Sequence, residues 1–158
     1  PVLSLGTNSV SVSADTNCSG SSVVIHGFTL TAENDGNCDD ISVTEVSFST
    51  SGTYLASDIS NFKLYYTAAN AFSTANLLST NSTPAAAGTQ TSFSLSHSLA
   101  NVTHYFWITM DIAPGAVNGG NINVQQMLNT AVTATYDSKS FTPIRTTSAA
   151  ASGAITIK

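Results

Sequence analysis

The chain has 158 residues and a formal net charge of -5, and charged side chains make up only 8% of it while hydrophobic ones make up 42%. Its four basic residues cannot neutralise a run of phosphates, which excludes nucleic acid as a partner and disfavours docking on anionic membranes. The length favours a single domain over residues 1–158, because a domain of this size buries roughly 70% of its unfolded surface.

A surface of hydroxyl and amide groups is typical of secreted modules that pack against neighbours. No apolar run is long enough for a spanning helix, so we expect no insertion into a membrane. The chain opens at Pro1 without a methionine or a signal-like segment, so we expect a mature or excised piece of an extracellular or cell-surface protein.

Apolar residues recur with period two along the chain, separated by short polar loops, and no segment sustains a helical period. The pattern predicts strands around residues 10–12, 24–30, 41–48, 62–66, 93–99, 104–111, 122–124, 132–136 and 155–157. One short helical turn is predicted near residues 71–78. The fold class is therefore all-β, an immunoglobulin-like antiparallel β-sandwich of about 7–9 strands.

The apolar phase slips within residues 41–48, because Ile41 and Val43 share one parity while Val46 and Phe48 take the other. A β-bulge at Thr44 and Glu45 explains such a slip and turns Glu45 outward.

Landmarks distributed from Val23 to Val124 resemble the immunoglobulin-like N-terminal domain associated with BNR-repeat neuraminidases, which also recurs in surface proteins of Bacteroidota. They are Phe48-Ser49-Thr50-Ser51-Gly52-Thr53, Asp58-Ile59, Lys63-Leu64-Tyr65-Tyr66-Thr67, Phe72-Ser73, Leu99, Tyr105-Phe106-Trp107, Asp111-Ile112, Ala116 and Gly120-Asn121. The chain departs from the family pattern at Val102, where glycine is common, and at His104, where asparagine is usual. The resemblance implies an accessory fold ahead of a catalytic propeller and does not imply glycoside hydrolysis.

The three histidines, His26, His97 and His104, show neither metal-ligand spacing nor a serine in a nucleophile elbow. We therefore interpret them as structural, assign no catalytic residue, and expect the protein not to be an enzyme.

The loop that contains Asp35, Asp39 and Asp40 concentrates the oxygen ligands that calcium requires. Its Asn-Asp-Gly sequence is equally a hairpin turn signal, and the spacing is not that of an EF-hand. Calcium is the one cofactor that the sequence leaves open.

Tyr65, Tyr66 and Trp107 are candidates for a sugar-stacking surface. The competing interpretation, which we favour, buries Trp107 in a central strand, because large aromatic residues usually dominate cores.

Cys18 and Cys38 are the only thiols, and an even count in a secreted domain suggests a disulfide. An internal bridge contributes ~3 kcal/mol in the chain-entropy model. A straight strand between the two cysteines would place them at opposite poles, which favours a bond between molecules instead, so both pairings stay open.

These observations lead to a non-catalytic extracellular structural or adhesive module that acts by self-association, as a head-to-tail filament subunit or as a tandem repeat of a surface protein. Apolar segments 2–12 and 154–157 are candidates to pair with a neighbour's sheet edge. The alternative function is a carbohydrate-binding accessory module of a secreted glycosidase-type protein.

Overall fold

Two β-sheets face one another in the computed structural model, which describes residues 2–8, 20–33 and 41–157. Over these residues the strands are β1 (Val2–Thr7), β2 (Val23–Glu33), β3 (Ile41–Gly52), β4 (Ile59–Thr67), β5 (Leu77–Asn81), β6 (Gln90–Leu99), β7 (Thr103–Ile112), β8 (Asn121–Val124), β9 (Met127–Leu128), β10 (Val132–Tyr136), β11 (Lys139–Phe141), β12 (Arg145–Ala149) and β13 (Ile155–Thr156). The first sheet has the order β5-β4-β7-β2-β1-β12-β9. The second has the order β11-β10-β3-β8-β13, with β6 paired to β3.

The core lies between the sheets and is built on aromatic pairs. Phe48 of the second sheet meets Phe62 of the first edge to face, with ring centroids 5.2 Å apart. Phe28 and Phe106 stack at 5.2 Å on neighbouring strands of the first sheet. Such pairs add to the stabilisation that burial of their apolar area already provides. The predicted all-β sandwich class is confirmed, with 13 strands among the described residues where about 7–9 were expected.

The predicted bulge in β3 is also confirmed. Glu45 pairs with Thr133 of β10 and Val43 pairs with the next residue, Ala134, so Thr44 is an extra residue on β3, and Glu45 is exposed. The extra residue lets both apolar halves of β3 face the core despite their opposite parity.

Two features join the sheets along their flanks. After Val124 the chain leaves the second sheet, pairs through β9 with β12 of the first sheet, and returns at Val132. On the other flank, Ser79 Oγ donates to the Ser94 carbonyl at 2.9 Å and Asn81 Nδ2 donates to the Ser92 carbonyl at 3.2 Å. Side chains of β5 thus cap backbone carbonyls of β6.

The ends of β2, β4 and β7 define two poles of the sandwich. The Asp58 pole comprises residues 20–22, 53–58 and 113–120. The Val102 pole comprises residues 100–102 and 137–138. β1 enters the sandwich at the Val102 pole, since Val2 pairs with Glu33. β13 leaves it at the Asp58 pole, where Ile157 exchanges backbone hydrogen bonds with Gly119 and Gly120.

The structure bears on three further expectations from the sequence. The helical turn predicted at residues 71–78 is wrong, because these residues form bends followed by the start of β5. The 3₁₀ turns of the described chain lie at Ala56–Asp58 and Asn129–Ala131 instead. The strand predicted at residues 10–12 lies outside the described residues. β1 pairs with β2 and β12 of its own chain, so its backbone offers no free edge to a neighbour.

Candidate functional site

Trp107 and Tyr65 are buried on the outer face of the first sheet, 2% and 4% exposed, beneath residues 68–76. Phe72 from that loop packs against both rings, with centroids 5.9 Å from Trp107 and 5.6 Å from Tyr65. Trp107 Nε1 donates to Thr67 Oγ1 at 2.8 Å. A Cβ on Gly27 would lie 3.3 Å from the Trp107 ring, so glycine lets the indole lie close to β2. Trp107 is buried, as favoured above, and this pair forms no exposed surface for sugar stacking.

Tyr66, the third candidate aromatic, points the other way and joins His97 and His104 near the Val102 pole. Its ring centroid lies 4.4 Å from that of His97 and 5.1 Å from that of His104. Burial lowers the pKa of both imidazoles, and the proximity of His104 lowers the pKa of His97 further. The cluster therefore packs as neutral rings that connect β6 of one sheet with β4 and β7 of the other.

His26 is 2% exposed in β2, and burial lowers its pKa from 6.5 to about 4. It too is held as a neutral ring. Within residues 2–8, 20–33 and 41–157, no three histidine, cysteine or acidic side chains converge to hold a metal ion. The histidines thus take packing positions.

Asp111 of β7 links β4 and the residue that precedes β2 on the outer face of the first sheet. Its Oδ2 lies 2.7 Å from Lys63 Nζ and accepts a hydrogen bond from Asn61 Nδ2, while Oδ1 accepts the backbone N–H of Ser22 at 2.8 Å. Burial alone would raise the pKa of Asp111, but these hydrogen bonds together lower it. The hydrogen bond with Asp111 raises the pKa of Lys63. All three partners belong to the chain itself, so these contacts hold the carboxylate against the sheet.

Asp58, only 2% exposed, fixes the geometry of its pole. Its Oδ2 accepts the N–H of Leu55 at 2.8 Å, its Oδ1 accepts the N–H of Val117 at 2.9 Å, and its own carbonyl accepts the N–H of Ala113. One side chain therefore holds two loops that are far apart in sequence.

The two loops held by Asp58 present large apolar side chains to solvent. Leu55 is 56% exposed and Val117 58% exposed. At the opposite pole, Val102 is 57% exposed on the turn between β6 and β7. Sequence reasoning did not single out these residues as a surface, because nothing local in the chain marks Leu55 and Val117 as neighbours. Leu55, Val102 and Val117 are three of the six large hydrophobic residues exposed in the described chain, and the others are Leu77, Leu128 and Ile144.

The remaining candidates lie outside the described residues. They are the calcium candidates Asp35, Asp39 and Asp40 and the two cysteines Cys18 and Cys38.

Comparison with known proteins finds no family model that matches this chain and no match among curated proteins. No helix among the described residues is long and apolar enough to cross a membrane.

Proposed function

We propose that this chain is a non-catalytic structural or adhesive module of an extracellular or cell-surface protein, and that its copies associate pole to pole. The observation that carries the proposal is the exposure of Leu55 and Val117 at one pole and of Val102 at the other. A contact between two different patches leaves one patch free on each partner, so it can be repeated and extends into a filament unless it closes into a ring.

The topology supports this arrangement. Because β1 enters at the Val102 pole and β13 leaves at the Asp58 pole, successive copies in one polypeptide would also meet pole to pole. Linkage in tandem would raise the effective concentration of weak apolar contacts. The same contact therefore serves a filament of separate subunits or a tandem repeat.

The buried residues also support a scaffold. Asp58, Tyr65, Trp107 and Asp111 belong to the motifs that resemble the neuraminidase-associated module, and each is committed to packing or to hydrogen bonds within the chain. The favoured role is consequently that of an accessory or structural unit. Carbohydrate binding through Tyr65 and Trp107 loses support, because a loop covers both rings.

A disulfide between Cys18 of one copy and Cys38 of the next would make this association covalent, and an internal bond between the two is the alternative. Mass spectrometry of the non-reduced protein is expected to detect disulfide-linked multimers; a quantitative internal bond would contradict this pairing.

Sedimentation velocity over a range of concentrations tests the association itself. We expect the average mass of the reduced wild type to rise with concentration, and Leu55→Ser/Val117→Ser or Val102→Ser to lower it towards that of a monomer. Leu128→Ser is the matched control, because Leu128 is 54% exposed on the flank in β9, away from both poles. A wild type that stays monomeric throughout would overturn the proposal.

A further inference from the structure

The three glutamines of the whole chain, Gln90, Gln125 and Gln126, line one pocket on the flank of the sandwich. The pocket has a volume of about 220 Å³. Its lining also includes the hydroxyl residues Ser47 and Ser49 of β3 and the buried side chain of Met127. Residues from three separate segments of the chain thus converge on one site.

The pocket exists because the chain interrupts its pairing with β3. Gln125 N donates to the Ser49 carbonyl at 2.9 Å. Residues 126–131 then leave β3, and β9 within them pairs with β12 of the first sheet. They return where Ser47 Oγ contacts the Ala131 carbonyl at 3.4 Å. Gln90 approaches from the opposite side of β3, since it pairs with Ser49. The gap is therefore bounded by glutamines on both sides.

The three glutamine side chains are exposed, and their amide groups are available for hydrogen bonds to a ligand. Across the described part of the chain, none of their amides makes a hydrogen bond to another protein group. Each amide offers two donors and a carbonyl acceptor, and the Ser49 hydroxyl adds one further donor and acceptor. No charged residue lines the pocket, and the exposed side chain of Leu128 supplies apolar surface.

We propose that this pocket binds a single neutral sugar ring. Adjacent hydroxyls of a pyranose match the paired donors and acceptors of side-chain amides, and the carbon-bound hydrogens of the ring can pack on Leu128. The volume lies below the ~300–1,000 Å³ of pockets for drug-sized ligands, so one ring fits and a longer chain would continue into solvent.

Neutral charge and ring shape distinguish this ligand from its closest competitors. A sugar carboxylate would find no cation in the lining. An extended peptide would need a free strand edge, whereas the Ser49 carbonyl is already bonded to Gln125 and β6 occupies the other side of β3. The site lies between the poles, so a sugar bound here leaves the pole surfaces accessible.

The test is a titration of the full isotope-labelled chain with methyl glycosides of neutral hexoses and of N-acetylglucosamine, followed by two-dimensional NMR. We expect saturable shifts in the millimolar range confined to the amides of residues 47–49, 90 and 125–131. Sialic acid is expected to cause none.

Gln90→Ala/Gln126→Ala should weaken binding by at least about tenfold, since several hydrogen bonds are lost. Gln126→Glu, which keeps the size of the side chain, should weaken it as well. Ser96→Ala is the matched control, because Ser96 is exposed on the same strand and face as Gln90 but outside the pocket.

The spectrum of each variant reports its folding directly. Absence of shifts with every neutral sugar, shifts elsewhere in the chain, or tighter binding of an uncharged peptide would overturn the proposal. Because the readout is the pocket itself, a negative result here is separate from a failure of pole-to-pole association in sedimentation.

Discussion

Asp58 and Val117 are 59 residues apart in the chain, yet the Asp58 carboxylate accepts the backbone N–H of Val117 at 2.9 Å. Its second oxygen accepts the N–H of Leu55, so one buried group sets the positions of both apolar side chains at this pole. The stability of the fold and the shape of the proposed contact surface therefore depend on the same residue.

Asp58→Asn should destabilise the protein by about 1–3 kcal/mol, because the amide keeps one acceptor oxygen while its nitrogen cannot accept the other backbone hydrogen bond. Urea unfolding measures the change. Ser57→Asn, at the neighbouring exposed position, should stay within about 0.5 kcal/mol of wild type. Self-association of the folded Asp58→Asn protein should also weaken, and an unchanged association would show that the pole does not need this geometry.

Mixing two variants distinguishes a head-to-tail contact from a symmetric one. Leu55→Ser/Val117→Ser retains an intact Val102 pole, and Val102→Ser retains an intact Asp58 pole. If unlike poles bind each other, the mixture should form dimers that cannot extend, while each variant alone stays monomeric. Light scattering detects the difference. Dimers in solutions of a single variant would instead indicate contact between like poles.

Stability should fall below neutral pH because of His26. Burial lowers its folded pKa from 6.5 to about 4, so the unfolded state binds more protons between these values. The contribution is complete above pH ~6.5, and about 3 kcal/mol is lost as the pH falls to ~4, at 1.36 kcal/mol per pKa unit.

His26→Leu should flatten this dependence in urea unfolding measured at several pH values. His97 and His104, whose pKa values burial also lowers, would account for the slope that remains. A variant with the full wild-type slope would mean that His26 does not carry the effect.

Phe72 should control the environment of Trp107, which is the only tryptophan of the chain and so gives an unambiguous fluorescence signal. Phe72→Ala removes the ring that packs on Trp107 and Tyr65, so the emission should shift to the red and quenching by acrylamide should increase. Phe72→Leu, which keeps an apolar cover, is the control. Equal quenching in wild type and Phe72→Ala would contradict the covering role of this loop.

Local periodicity predicted the strands well, because successive side chains of a strand point to opposite faces of the sheet and so alternate between the core and solvent. The alternation of Phe93 and Leu95 with serines predicted β6, and the slip of parity located the bulge at Thr44. Trp107 and Asp111, four residues apart in β7, both lie on the outer face, as the two-residue period of a strand requires.

Features that depend on contacts between distant segments could not be predicted from the sequence. Residues 68–76 contain alanines that favour a helix, but the packing of Phe72 on two buried rings overrides that preference. The neighbours Leu55 and Val117, and likewise Gln90 and Gln125, come from separate loops and strands. No local spacing encodes such pairs, since the sheet topology alone brings them together.

The hydrogen bonds from β5 side chains to β6 carbonyls affect how this edge of the sandwich can pair with strands of other molecules. Exposed strand edges usually rely on lysine or other charges to repel unwanted partners, and neither β5 nor β6 contains a charged residue. Ser79 and Asn81 use their own side chains to occupy the carbonyls of Ser94 and Ser92, so this edge resists sideways fusion without electrostatic repulsion. If copies associate pole to pole as proposed, this edge disfavours a second, sideways mode of association.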